Sequence, residues 1–271
     1  GLFGRANVPV RRLLGISPKL RTVEYKGSKL FHLTLPPILP INWINNGGIF
    51  DFIMKMQINL ITRYVIQNVL KRINFSQTVM INAFNPIIGA SLNRALNITK
   101  SVYYCYDEIA AAEWCSKHGR RLESIVAQEA DKVIVTSTAL LQTKKRLNRN
   151  IELIKNGVDF ELFNKGYIKN KENKRPQIGY LGSVDFRLDF DLLEEIICDN
   201  ESWDFTFVGR VVDQHGTNQL NKYNNVYFHG AKAPSLLPEF LSNFDVAIIP
   251  FVKNEFTRNI YPLKINEYLA A

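Results

Sequence analysis

Long hydrophobic runs are missing from this sequence. No apolar stretch approaches the ~20 residues that a membrane-spanning helix needs, and no basic segment followed by an apolar one opens the chain as a signal peptide would. Cysteine is scarce: Cys105, Cys115 and Cys198 form no C-x-x-C pair, which excludes a disulfide framework and a thiolate zinc site. A reduced, cytosolic compartment is expected. The four histidines, His32, His118, His215 and His229, show no metal-ligand spacing. Also absent are a Walker loop, a nucleophile elbow, a G-x-G-x-x-G fingerprint and any repeat of fixed period.

Acidic residues are short in the first half only. Residues 1–150 hold 21 Lys/Arg against 8 Asp/Glu, a charge of +13, whereas residues 151–271 carry −4, giving +9 for the whole chain. A basic half joined to a mildly acidic one points to two domains with different partners. A basic surface attracts nucleic acid, anionic lipid or phosphorylated ligands, and it is equally consistent with a solvated face. The 46% hydrophobic content is that of a chain with a real core.

Periodicity supplies the fold class. "KLFHLTLP" is strand-like, and "FIMKMQINLITRYVIQNVLKRI" (Phe52 to Ile73) has apolar residues at helical spacing. Strand-like "QTVMINA", "KSVYYCYDE", "DKVIVTS" and "NIELIKNG" then alternate with helix-like "NPIIGASLNRAL", "RRLESIVAQEA" and "TALLQTKKRL". The polar stretch "NKGYIKNKENKRP" interrupts the pattern and reads as a linker. The alternation restarts with "QIGYLGS", "DFDLLEEII", "WDFTFVG", "NVYFHG", "APSLLPEFLSN", "FDVAIIPF" and a closing helix after Pro262. Such alternation predicts α/β architecture with parallel sheets. The expected organisation is two doubly wound, Rossmann-like domains facing a cleft, 1–163 and 177–271, joined by a linker over 164–176. In such sheets ligands bind outside the carboxyl ends of the strands.

Gly182 and Ser183 fall between a strand and a helix, where backbone N–H groups can approach a phosphate. Arg187 in the same loop could pair with that phosphate bidentately. A strand-to-helix turn also calls for glycine on structural grounds alone. Asp189 and Asp191 form a D-x-D pair of the kind that can hold a divalent metal, but their place at a helix start favours capping. Asn156-Gly157 marks a turn where the chain can leave one domain for the next. Lys264 and Glu267, taken alone, are a helix pair three residues apart.

Taken in order, "ADKVIVTS…LIKNGVDFELF", "IGYLGS", "FTFVGR", "NVYFHG…LPEFLSNFDVAIIPF" and "PLKINEYLAA" resemble the GT-B glycosyltransferases, in particular family four and its bacterial cell-surface polysaccharide branch. The likeness covers Val102 to the end well and residues 1–100 in general layout. It implies transfer of a sugar from a nucleotide diphosphate sugar to a hydroxyl acceptor, with retention and without a metal or other cofactor. By the resemblance, Glu267 matches the glutamate that binds the nucleotide ribose. Pro262, Leu263 and Lys264 lie where helix-start N–H groups meet the diphosphate. Gly182, Ser183 and Arg210 join the donor site, and Arg187 and Lys264 neutralise the leaving group. Asn259 stands where that family usually has a first glutamate, which changes how donor hydroxyls would be held. Family members continue beyond this last helix and begin before this first residue. The chain therefore reads as an internal fragment with a truncated second domain, inactive as it stands.

The implied acceptor is lipid-linked or a polysaccharide, with Asp107 and Glu108 able to orient its hydroxyl; satisfied structural acids are an equally good reading of the two. The basic first half, through Arg5, Arg11, Arg12, Leu13, Leu14, Trp43 and the 52–73 helix, could meet an anionic membrane at the cytoplasmic face, although the helix pattern itself favours ordinary core. No nucleic-acid partner is implied. Two alternatives stay open: a GT-B sugar-nucleotide epimerase, and a non-catalytic binding or scaffold subunit.

Overall fold

A computed structural model describes residues 20–25, 27–33, 39–65, 79–83, 98–112 and 117–271 without 168–171, together with residues 85, 86, 89 and 115. Arg5, Arg11, Arg12, Leu13 and Leu14 lie outside these residues, as do the end of the 52–73 segment and nearly all of "NPIIGASLNRAL". The chain divides into two units, Gly1–Ile154 and Lys155–Ala271.

In the first unit β1 (Leu20–Tyr25) and β2 (Ser28–Leu33) form an antiparallel hairpin turning at Gly27, whose φ of 75° suits glycine. β1 was not anticipated, because "LRTVEY" has charges that break its apolar alternation. Helix α1 (Gly47–Val65) begins earlier than its periodicity indicates, because the Asn46 side chain accepts from the amides of Gly48 and Ile49. Its buried stripe is Phe50, Met54, Ile58 and Ile61. A parallel sheet follows, with β3 (Val79–Ala83), β4 (Lys100–Cys105), β5 (Lys132–Val135) and β6 (Ile151–Leu153) in that order. Its crossovers include α2 (Gly119–Glu129) and α3 (Thr138–Lys144), the latter capped by Ser137. Among the described strands this order runs one way, so no winding reversal is visible in this unit.

The second unit starts at residue 155, so 155–163 belong to it and not to the first domain as the sequence reading had them. The reason is packing: α4 (Phe160–Phe163) delivers Phe163 into a core with Leu181, Val208, Leu241 and Ala270. The polar composition of 164–176 marked a connection inside this unit. Parallel strands β7 (Gln177–Leu181), β8 (Asp204–Val208), β9 (Val226–Phe228) and β10 (Val246–Ala247) are ordered β10-β7-β8-β9. The order reverses at β7, which makes this sheet doubly wound with its switch point between β7 and β10. Helices α5 (Phe190–Asp199), α6 (Gln214–Leu220), α7 (Leu237–Ser242), α8 (Glu255–Arg258) and α9 (Leu263–Ala270) complete the unit. "FDVAIIPF" pairs as a strand only at Val246 and Ala247, and α6 and α8 are too short for their periodicity to register.

Candidate functional site

The switch point of the second sheet is lined by glycine. Gly182 and Gly209 follow β7 and β8 directly, with φ of 149° and 156°. A Cβ on Gly209 would fall 1.9 Å from the Gly182 carbonyl oxygen, so the two loops pass backbone to backbone. A Cβ on Gly182 would fall 2.0 Å from Lys264 Cε and 2.8 Å from the Tyr180 hydroxyl. Gly182 is therefore the floor over which the Lys264 side chain lies. The Lys264 ammonium is 5.8 Å from the centre of the Tyr180 ring, and the Tyr180 hydroxyl donates to the Ser183 carbonyl at 3.1 Å.

Two loops leave β7 and β10 and run side by side. Leu188 bridges Phe251, the Asp189 amide donates to the Pro250 carbonyl at 2.9 Å, and the Val252 amide donates to the Arg187 carbonyl at 2.8 Å. Arg187 is held in a fork by Asp185, Nε to Oδ1 at 2.8 Å and Nη2 to Oδ2 at 2.7 Å, with its guanidinium 5.6 Å from the Phe251 ring centre. Asp189 is a helix cap, accepting from the Leu192 amide, and Asp191 accepts from Gln219, so the D-x-D pair is engaged within the fold.

Helix α9 brings the remaining groups. Pro262 is its N-cap and no side chain caps its first turn, which leaves the helix start open. The helix is tied down on two sides. Asn266 donates to the Asn156 carbonyl at 2.6 Å, and Asn156 donates to the Tyr261 carbonyl at 3.0 Å. The Tyr268 hydroxyl accepts from the Leu181 amide and donates to the Ile248 carbonyl.

Two cations and two acids meet in the site: Lys264 and Arg187, Glu267 and Asp185. Burial, and then the neighbouring Arg187 cation, lower the Lys264 pKa, while Glu267 and Asp185 act the other way. Burial raises the Glu267 pKa, with Lys264 opposing. The side chains of Lys264 and Glu267 make no hydrogen bond or salt bridge to another described residue. A half-buried ammonium without a side-chain acceptor, beside an arginine and an uncapped helix start, is an arrangement that can receive an anion.

The structure thus brings Gly182, Arg187, Pro262, Leu263, Lys264 and Glu267 together. Ser183 contributes backbone. The Arg210 side chain is exposed, while its carbonyl accepts the Val184 amide at 3.0 Å. Asn259 is placed differently from the donor-contact expectation: it is buried and its Nδ2 donates to the Glu255 carbonyl at 2.7 Å, closing α8. Sequence reasoning missed Asp185, Tyr180 and Tyr268. Asp185 was legible as an acid two residues from Arg187; the tyrosines carried no pattern beyond core periodicity.

In the first unit Asp107 follows β4, half-buried, and its carbonyl accepts the Ile109 amide at 2.9 Å. Glu108 does not face an acceptor. It is buried against Lys144 Nζ at 2.6 Å, and the same ammonium meets Glu123 at 2.8 Å. Tyr103 donates to Glu123 at 2.9 Å. Burial also drives the Cys105 thiol pKa well up.

No protein-family model matches the chain. It is 25% identical over 192 residues to TuaH of Bacillus subtilis strain 168, whose name assigns it to teichuronic acid biosynthesis as a glycosyltransferase; the match covers 63% of this chain and 48% of TuaH. The chain thus spans about half the length of that relative. Among solved structures, HepE of Anabaena in complex with UDP and glucose superposes with a TM-score of 0.59 at 16% identity, over 78% of this chain and 60% of that one. The catalytic domain of starch synthase IV of Arabidopsis thaliana, bound to ADP and acarbose, gives 0.56 at 10% identity over 86% of this chain and 63% of its own. A glycosyltransferase of Rickettsia africae gives 0.53 at 14% identity, over 78% of this chain and 59% of that one. The architecture is the GT-B fold of glycosyltransferases.

Proposed function

We propose that this chain, with its GT-B fold, is part of a glycosyltransferase that takes a sugar from a nucleotide diphosphate sugar to a hydroxyl acceptor in cell-surface polysaccharide synthesis. One observation carries the reading: the Lys264 ammonium lies across Gly182 at the open start of α9 with no acceptor of its own. A diphosphate supplies that acceptor. Breaking the glycosidic bond puts negative charge on the leaving diphosphate, and the fixed Lys264 and Arg187 charges stabilise it as it forms. The first-turn N–H groups at Leu263 and Lys264 add to this field. Asp185 keeps Arg187 in place before the ligand arrives. Glu267, whose carboxylate is unpartnered among the described residues, accepts the ribose hydroxyls. Ser183 and Arg210 border the site through their backbones. Neutralisation by side chains makes the reaction metal-independent in this proposal, and retention of configuration follows from the family-four resemblance.

The relatives favour this reading. HepE is described with UDP and glucose, starch synthase IV with ADP and acarbose, and TuaH is named for teichuronic acid biosynthesis. The test is calorimetry with UDP, ADP and GDP in the presence of a chelator. Binding of one of them is expected. Binding that appears only with Mg²⁺ or Mn²⁺ would overturn the metal-independent site.

We place the acceptor on the basic first unit, with Asp107 orienting its hydroxyl, and take the acceptor to be lipid-linked or polysaccharide. Helix α1 favours an anionic membrane face at the cytoplasmic side. Opposite its core stripe it exposes Ile49, Phe52, Met56 and Leu60, with Lys55 and Arg63 beside them and Trp43 exposed nearby. No helix among the described residues is long and apolar enough to cross a membrane. Sedimentation with anionic vesicles should show binding that weakens as salt rises; equal affinity for neutral vesicles would remove the electrostatic part.

A further inference from the structure

An exposed phenylalanine by itself is ordinary on a protein surface. Phe186 is 63% exposed, but it does not stand alone. Its ring centre lies 5.8 Å from that of Phe256, with the planes inclined at 48°. The two rings come from different loops, and both loops are fixed. Phe186 sits between Asp185 and Arg187, which form the forked ion pair. Phe256 sits on α8, whose start is closed by a reciprocal Asn254–Thr257 capping box. The strap of three backbone contacts between residues 187–189 and 250–252 joins the two loops below the rings. The rings are therefore held by the same backbone that holds Arg187.

We propose that Phe186 and Phe256 form an aromatic platform for the sugar ring carried by the diphosphate. The proposal rests on the donor-site reading above and adds the recognition of the transferred group. Direction along α9 decides which end of the donor meets the rings. Lys264 lies in the first turn, and Glu267, which takes the ribose, lies further into the helix. The nucleoside therefore extends along α9, and the group on the other phosphate extends toward the segment before it. That segment is α8 with Phe256, facing Phe186. A pyranose presents C–H groups on its faces and hydroxyls at its edges. The negative face of an aromatic ring attracts such C–H groups, and two rings inclined at 48° make a shallow trough that suits a puckered ring better than a flat base.

The test compares free nucleotide with conjugate. UDP, ADP and GDP, and the glucose and N-acetylglucosamine conjugates of whichever binds, are titrated calorimetrically into the unsubstituted protein and into Phe186→Ala, Phe256→Ala and Phe186→Tyr. The alanine variants should bind the conjugate roughly three- to tenfold more weakly and the free nucleotide unchanged. Phe186→Tyr, which keeps the ring, should bind both as the unsubstituted protein does, and this separates lost stacking from lost folding. Equal weakening of nucleotide and conjugate would overturn the proposal and assign the rings to the base. Unchanged binding of both would also overturn it. If no nucleotide binds the unsubstituted protein, the donor-site reading itself falls and takes the platform with it.

Discussion

The Tyr268 hydroxyl takes the Leu181 amide at 3.0 Å, at the point where β7 and β10 part company. The two strands pair at Ile178–Val246 and Gly179–Ala247 and then separate, and Tyr268 fills the gap by donating to Ile248 at 3.2 Å. One side chain of α9 thus replaces a rung of the sheet, and the helix that carries Lys264 and Glu267 is fixed to the strand that carries Gly182. Tyr268→Phe should leave a buried amide and a carbonyl unpaired, at a cost of about 1–3 kcal/mol. A urea titration should show a lower midpoint with an unchanged slope. Donor KM should rise as well, because α9 loses its height relative to β7.

Gly182 is the second point of contact between β7 and α9. Alanine there meets two obstacles: a φ of 149°, and the Lys264 Cε at 2.0 Å from its new methyl group. The lysine end can swing away, so the protein should fold with a loss of about 1–3 kcal/mol from the backbone. The lysine can then no longer lie across the loop. Nucleotide affinity in Gly182→Ala should therefore fall as far as in Lys264→Ala. Near-wild-type affinity would show that the ammonium acts from another position.

Much of this was legible in sequence because the signals are local. Alternating strands and helices signal an α/β fold, and the glycine after "IGYL" with the proline before "LKINEYLA" mark the strand end and helix start that the structure sets side by side. What stayed hidden depended on distant partners. Asn259 looked like a presented amide, and only the path of α8 shows that its Nδ2 donates to the Glu255 carbonyl. Glu108 looked like an acid at a strand end, and its partner Lys144 lies 36 residues away. The boundary at 163 followed polar composition, whereas the buried ring of Phe163 decides which unit the segment joins. Tyr268 could not be assigned before its helix was set against two strands.

The Glu108–Lys144–Glu123 cluster should behave as structure. Two carboxylates share one ammonium, and all three side chains are at most 6% exposed. Lys144→Met leaves the pair of acids facing one another without a cation. The expected loss is about 3–5 kcal/mol at neutral pH, read as a drop in thermal midpoint. A variant as stable as the parent would show that the cluster does not hold the fold together.

Lys264 and Glu267 should separate in kinetics and in pH. Lys264 lies in the first turn of α9, so its charge acts on the diphosphate as the bond breaks. In the full-length enzyme Lys264→Ala should lower kcat by on the order of 10²-fold, with a smaller change in KM. Glu267 holds the nucleoside equally before and during the reaction, so Glu267→Ala should raise KM. Their titrations narrow the working range from both ends. Burial lifts the Glu267 carboxyl above its ordinary 4.5, so its acceptor form is lost earlier as pH falls. Burial and Arg187 bring Lys264 below its ordinary 10.5, so its charge is lost earlier as pH rises. Nucleotide affinity should therefore fall on both sides of neutrality. Glu267→Gln should abolish the acid limb alone, and Lys264→Arg should abolish the alkaline limb alone, since arginine stays charged. If both substitutions flattened the same limb, the two residues would titrate as one unit and the division of roles would fail.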